Sequence, residues 1–188
     1  MPNPTPTPTA TPSGSSDAQQ AQQREKVSHQ KELSKGVTIV AHSGDFDKLM
    51  AAFIVAVGAA ASGKHVTMFF TFWGLNALKN GKKASGKTFL ERMVSWMMPT
   101  SPNAAPSSRM NMFGIGPKFF SMLMKRNNVQ PLNEMVNTAN ELGVRMVACR
   151  MSMGIMGIRE TELVDGIDYG GVATYLCDAE NANLNLFI

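Results

Sequence analysis

Late in the chain, the stretch VACRMSMGIMGI (Val147–Ile158) puts a single cysteine at the end of an apolar run, with methionine, serine and glycine crowded behind it. A thiolate in such a place can attack sulfur, the step on which thiol exchange and persulfide transfer depend. In VRMVAC the side chains alternate, so Cys149 shares a face with Val147, while Arg150 points the opposite way if the strand continues. A helix starting just beyond would supply free N–H groups that favour thiolate over thiol. Free cysteine is also among the most buried residue types, and a buried structural thiol is inert. Position alone leaves both readings standing, a nucleophile or a packed core thiol.

The other residues able to do chemistry carry weaker signals. Cys177, in ATYLC on the last expected helix, has nothing nearby to lower its pKa and reads as a packed helix cysteine. The segment HSGD, His42–Asp45, holds a lone glycine without GxGxxG spacing, a weak signal for phosphate binding. Ser43 or Asp45 is expected to cap the following helix, and Asp47 to complement its N-terminal dipole. The same N–H groups could also receive an anion. His42 and His65 stand at strand boundaries and read as structural or solvent-facing. The sequence shows no Ser–His–Asp spacing, paired carboxylates or His/Cys cluster, so neither a metal centre nor a cofactor is expected. Met151, Met153 and Met156, with Met110 and Met112, could act as soft copper(I) ligands beside a thiolate. Without histidines in support, an adaptable apolar lining is the preferred reading of these methionines.

Strands and helices must deliver these residues to one place. VTIVA, from Val37, reads as a buried strand, β-branched and nearly all apolar. A helix follows over Asp45–Ser62, with Phe46, Leu49, Met50, Phe53 and Val57 on one face and Gly63 ending it. His65–Thr71 is a second strand, which makes a βαβ unit. Lys87–Met98 reads as a helix. Met98–Gly116, with three prolines, reads as a long loop acting as a lid or partner surface. A short helix is expected over Pro117–Arg126. Pro131 suits a first helical position, a stripe of Leu132, Met135, Val136, Ala139 and Leu142 follows, and Gly143 closes that helix. VRMVAC is the third strand. A helix around Gly157–Leu163, a turn-rich GIDYGG, a helix over Gly170–Asn181 and a terminal strand Leu184–Ile188 complete the pattern. The alternation predicts an α/β layered fold with a mainly parallel sheet, its strand order unread. In such sheets ligands bind at the carboxyl ends of the strands, near a topological switch point. HSGD, FWGL and CRMSMG are the three segments delivered there.

Composition narrows the classes. With 188 residues, of which 44% are hydrophobic, the chain can build one domain with a proper core. Residues 1–35 are rich in Pro, Thr, Ser and Gln and are expected to be a disordered tail, leaving residues 36–188 as a single domain. A net charge of +4 with scattered Lys and Arg does not make a nucleic-acid footprint. No apolar run reaches the roughly 18 residues of a membrane span, and no signal-peptide pattern opens the chain. Two cysteines form neither a disulfide framework nor a CxxC pair, which points to a reducing, cytoplasmic setting.

Taken in order, SGDFDK (Ser43–Lys48), FFTFWGL (Phe69–Leu75) and the CxMSMxxMG pattern from Cys149 resemble the DsrE/DsrF-like family, in its larger DsrE-like branch of predicted sulfur carriers and peroxiredoxin-like proteins. The resemblance spans Gly36–Ile188. It implies a flavodoxin-like three-layer α/β sandwich and a persulfide-carrying cysteine, which falls on Cys149. It implies homo- or hetero-oligomers working alongside small sulfur-carrier proteins and rhodanese-like donors, as a carrier or sulfurtransferase in sulfur metabolism. By the same matching Ser43, Gly44 and Asp45 lie on the first loop, Phe72, Trp73 and Gly74 on the second, and Met151, Ser152 and Met153 behind the cysteine, all as pocket lining. The alternatives are a non-enzymatic scaffold or regulatory subunit with an inert cysteine, and a copper(I)-binding protein using Cys149 and nearby methionines.

Overall fold

The computed structural model describes residues 36–82, 122–124 and 126–188. Its strands are β1 (Gly36–Ala41), β2 (Val66–Phe70), β3 (Arg145–Cys149), β4 (Asp168–Gly170) and β5 (Ala182–Phe187). They form one sheet in the order β4-β3-β2-β1-β5, and every pairing is parallel. The helices discussed below are α1 (Phe46–Ala61), α2 (Leu132–Glu141), α3 (Arg150–Met156) and α4 (Val172–Glu180), and 3-10 segments lie at Phe72–Leu78 and Glu160–Glu162.

A parallel sheet is covered on both faces, so its central strands must be apolar on both sides. GVTIVA meets that demand and is buried from Val37 onward. One side of the sheet carries Val37, Ile39 and Ala41 of β1, Val66, Met68 and Phe70 of β2, and Met146 and Ala148 of β3. These pack against Leu49, Phe53 and Ala56 of α1 and Leu132, Val136 and Ala139 of α2. The other side carries Val40, Phe69, Val147 and Cys149, with Tyr175 of α4 packed on them. The result is a three-layer α/β sandwich of the flavodoxin-like kind.

Topology explains which helix lies on which face. From β1 to β4 the chain steps across the sheet in one direction, and only the β4-to-β5 connection returns. Crossovers between parallel strands are right-handed, so a reversal of direction moves the connecting helix to the opposite face. This is where α4 sits. The reversal also puts the switch point between β1 and β5, two strands away from β3. The expectation that the loops gather near the switch point is therefore corrected. There the main chain after β5 is tied to the loop after β1, since the Ile188 carbonyl accepts hydrogen bonds from the His42 N–H at 2.8 Å and the Ser43 N–H at 3.4 Å.

The local signals work as the residue types demand. Gly63 and Gly143 take positive φ (77° and 75°) just past α1 and α2, the left-handed C-terminal stop that glycine adopts most readily. Pro131 stands at the N-cap of α2, one place earlier than its expected first helical position. Neither Ser43 nor Asp45 caps α1 through its side chain. Ser43 Oγ accepts the Asp45 N–H at 3.1 Å instead, and the Asp45 carboxylate pairs with Lys48 at 2.9 Å.

Three expectations change. The helix placed at Gly157–Leu163 instead begins at Arg150, directly after β3. Gly157, with φ 62°, is its left-handed stop, and only Glu160–Glu162 turns beyond it. GIDYGG contains β4, a three-residue edge strand too short to show a period-two pattern. Cys177 is exposed rather than packed. Tyr175 is the residue of α4 that faces the sheet, and two positions further along a helix lie about 200° round from it. The expected helix at 87–98, the loop at 98–116 and most of the helix at 117–126 lie outside the described residues, as does the tail at 1–35. Within the described part of the last helix, Met122–Met124 is helical.

Candidate functional site around Cys149

Cys149 ends β3 and is also the N-cap of α3, so its sulfur stands where strand becomes helix. The residue is buried, with 4% of its surface exposed. Burial by itself pushes a thiol's pKa up, because the thiolate loses water. Here hydrogen bonds overcome it. The Ser152 hydroxyl is the strongest lowering influence, followed by the Ser152 N–H, the Thr71 hydroxyl and the Met151 N–H, and the net pKa lies below the ordinary cysteine value. Hydrogen bonds of this kind favour the thiolate over the thiol.

The two hydroxyls come from different elements. Thr71 follows the last residue of β2 and Ser152 lies in the first turn of α3, yet their oxygens are 2.8 Å apart. Ser152 is fully buried. Its hydroxyl is therefore held by Thr71 and is not shared with water. Thr71→Val should raise the Cys149 pKa by somewhat under about one unit, since it removes one of the weaker donors while keeping the shape. Alkylation rate against pH, measured in a Cys177→Ser background, checks this, and an unchanged profile would remove Thr71 from the site.

The loop after β2 is bent to hold Thr71 there. Phe72 has φ 46°, a left-handed conformation that a bulky residue rarely adopts. Such strain persists only where surrounding contacts over-determine it. Those contacts are visible on both sides. The Thr71 N–H donates to the Ala41 carbonyl at 3.1 Å, and the Gly74 N–H donates to the His42 carbonyl at 3.0 Å. The Phe72 ring lies 5.9 Å from the His42 ring, which in turn stacks on Phe187 at 5.8 Å. Two glycines allow the close approach of the first two loops. A Cβ on Gly44 would stand 2.9 Å from the Trp73 carbonyl oxygen, and one on Gly74 would stand 1.9 Å from the Ala41 carbonyl oxygen.

The structure thus brings the HSGD and FWGL loops together through Gly44, Trp73 and Gly74, and ties FWGL to CRMSMG through Thr71 and Ser152. Ser43 and Asp45 serve the start of α1, as described above. Trp73 is 46% exposed beside the site. Met151, Met153 and Met156 do not gather on the sulfur, and Met110 and Met112 lie outside the described residues. Met151 is 62% exposed, whereas Met153 and Met156 sit in the large cluster on the α1 side, across the sheet from the layer of Cys149. They are core residues and a surface residue, so the idea of a soft wall of methionine beside the sulfur is corrected. Among the described residues no group of three or more His, Cys, Asp or Glu side chains is placed to hold a metal ion.

Sequence reasoning missed Thr71, which it read only as the last residue of a strand. The available signal was a hydroxyl at a strand's carboxyl end, next to the segment already singled out. It also missed Asn76, a 2% exposed residue whose Oδ1 has no hydrogen-bond partner among the described residues. Asn76 lies under Gly44, with Nδ2 3.1 Å from where a Cβ there would stand.

Comparison with known proteins gives the family and the fold. Residues 33–187 match the DsrE/DsrF/DrsH-like family. The chain is 49% identical over 158 residues to YrkE of Bacillus subtilis, an uncharacterized protein, covering 84% of this chain and 99% of that one. It is 30% identical over 161 residues to the sulfur carrier protein DsrE2 of Allochromatium vinosum, covering 82% and 98%. Among solved structures, the ychN protein of E. coli superposes with a TM-score of 0.51 at 13% identity, over 82% of this chain and 99% of that one, a likeness of fold. No helix among the described residues is long and apolar enough to cross a membrane.

Proposed function

Since the chain belongs to the DsrE/DsrF/DrsH-like family, we propose that it carries sulfane sulfur on Cys149. In the loading step the Cys149 thiolate attacks the outer sulfur of a donor persulfide, R–S–S⁻. A new S–S bond forms, the old one breaks, and its electron pair leaves with R–S⁻, giving Cys149–S–S⁻. In the unloading step an acceptor thiolate attacks that outer sulfur, and Cys149 departs as a thiolate. The observation that carries this reading is a buried cysteine at the end of β3 beside the paired Thr71 and Ser152 hydroxyls, whose hydrogen bonding holds its pKa below the ordinary value. Those bonds favour the thiolate as attacking group and improve it as leaving group, because a lower thiol pKa leaves faster. The likeness to a sulfur carrier protein is further support. We extend the proposal to protein partners, namely small sulfur-carrier or rhodanese-like proteins, and to work as a cytoplasmic homo-oligomer.

The test is to incubate the protein with inorganic polysulfide and take its intact mass. A gain of one sulfur atom, kept in Cys177→Ser and lost in Cys149→Ser, is the expected result. Equal loading of both variants would sink the assignment to Cys149. A second reading, a scaffold with an inert cysteine, draws on the exposed apolar residues of α4, Val172 at 64% and Leu176 at 50%. It requires Cys149 to react no faster than a free thiol, and the same preparations decide that.

A further inference from the structure

The residue after Cys149 is a cation held in place. Arg150 opens α3, with its guanidinium carbon 5.4 Å from the centre of the Tyr169 ring. One of its nitrogens, Nη1, contacts Glu160 Oε1 at 3.1 Å. Tyr169 belongs to β4, whose register places it beside Ala148 and places Gly170 beside Cys149. In the sheet β3 runs between β2 and β4. The carboxyl end of β3 therefore has the Thr71–Ser152 hydroxyls on its β2 side and, on its β4 side, the guanidinium over Tyr169, which belongs to the α1 face of the sheet rather than the layer of Cys149.

Neither contact of Arg150 looks like a fold-stabilising device. The ion pair is well exposed, 63% and 53% at its two side chains, and such pairs contribute little to stability. A guanidinium has five N–H donors in a planar fork suited to oxyanions, and Glu160 is bonded through one nitrogen. The aromatic ring restrains the arginine at the sheet edge while leaving it able to exchange one carboxylate for another anion. Sulfur electrophiles for a thiolate are commonly anions, and two negative groups must then approach each other.

We propose that Arg150 is a specificity-determining residue which binds the negative group of small anionic sulfur donors as they reach Cys149, and that Glu160 competes for the same guanidinium. The inference rests on Cys149 acting as a sulfur-accepting thiolate. With thiosulfate, for example, the thiolate attacks the sulfane sulfur, the new S–S bond gives Cys149–S–S⁻, and the broken bond's electron pair leaves on sulfite. Arg150 would hold the sulfonate oxygens during that attack. A neutral donor has no group for it to hold.

The test uses the Cys177→Ser protein and measures second-order rates with a dianionic disulfide, dithiobisnitrobenzoate, a neutral one, dithiodipyridine, and thiosulfate. Arg150→Gln should slow both anionic reagents about fivefold, the scale of one exposed charge interaction, and leave the neutral reagent within roughly twofold. Glu160→Gln should speed the anionic reagents, and added salt should shrink both differences. Arg150→Gln slowing the neutral and anionic reagents alike, or slowing none, overturns the inference. So does a loss of anionic rate in Glu160→Gln. The underlying reading fails separately. If no thiosulfate or polysulfide leaves a persulfide on Cys149 while the charge-selective disulfide rates persist, sulfur carriage is overturned and the role of Arg150 is supported.

Discussion

Ser152→Ala raises the pKa of the Cys149 thiol by about one to two units, the worth of a buried hydrogen bond to a charged group. The hydroxyl of Ser152 is the largest influence holding that pKa down, against a burial that pushes it up. Ser152 is fully buried, so no water takes the hydroxyl's place without a rearrangement. Alanine keeps the Ser152 N–H and the Thr71 hydroxyl as donors, which is why the shift is partial. The rate effect is smaller than the fall in thiolate population, because a more basic thiolate is intrinsically more nucleophilic, with a Brønsted slope near ~0.45. Alkylation at pH 7 should slow about three- to tenfold, while the rate plateau at high pH rises. Measuring alkylation against pH in a Cys177→Ser background separates the two effects. A profile that does not move excludes Ser152 as the thiolate's partner.

The same shift has a signature in stability. The native pKa of Cys149 lies below its ordinary value of 9.0, so the native state binds fewer protons at this site than the unfolded chain does. The site's contribution to stability is present above the unfolded pKa and is lost as pH falls through the native one. Ser152→Ala should shrink that contribution, most visibly on the alkaline side of neutrality. Denaturant midpoints compared across that window for the two proteins check the sign.

Gly74→Ala is the larger structural lesion. A Cβ at position 74 would stand 1.9 Å from the Ala41 carbonyl oxygen and 2.7 Å from the carbonyl carbon, both main-chain atoms of a buried strand. No rotamer change relieves such an overlap, so the β2 loop must move away from β1. The cost should reach about 3 kcal/mol or more, the upper end for overpacking. For a domain of this size that corresponds to a fall in Tm of roughly 6–12 °C. The displaced loop carries Thr71 with it, so the Cys149 pKa should also rise. Gly58→Ala is the internal control, since nothing lies within 4 Å of a Cβ there. Equal stability of the two variants would refute the account of the loop.

The outcome at each element shows which signals are local. β1, α1, β2, α2 and β3 stood out in the sequence because their apolar spacing and their terminal glycines act over a few residues. β4 did not, because three residues between glycines acquire strand geometry only by pairing with β3. The helix expected from Gly157 lies too far toward the C-terminus, since the chain turns helical at Arg150 and Gly157, with its positive φ, ends that helix. Cys149 itself was legible from its place at the end of an apolar run. Its state was not, because the groups that lower its pKa include a hydroxyl from Thr71, far back along the chain at the end of β2.

By itself, then, the sequence determined the layered α/β class, the cysteine at a strand's end and the likeness to the DsrE/DsrF-like family. Hydrophobic period, β-branching and motif order are properties of neighbouring residues and survive without coordinates. Tertiary structure alone decided the strand order, which sends α4 to the far face and puts the switch point between β1 and β5. It also decided that Met153 and Met156 fill the opposite layer while Met151 faces solvent, and that the hydroxyls of Thr71 and Ser152 meet across two elements. Those outcomes depend on which strands lie side by side. Period-two and helical patterns fix which way a side chain faces along its own strand or helix, but they carry no term for the neighbour across the sheet.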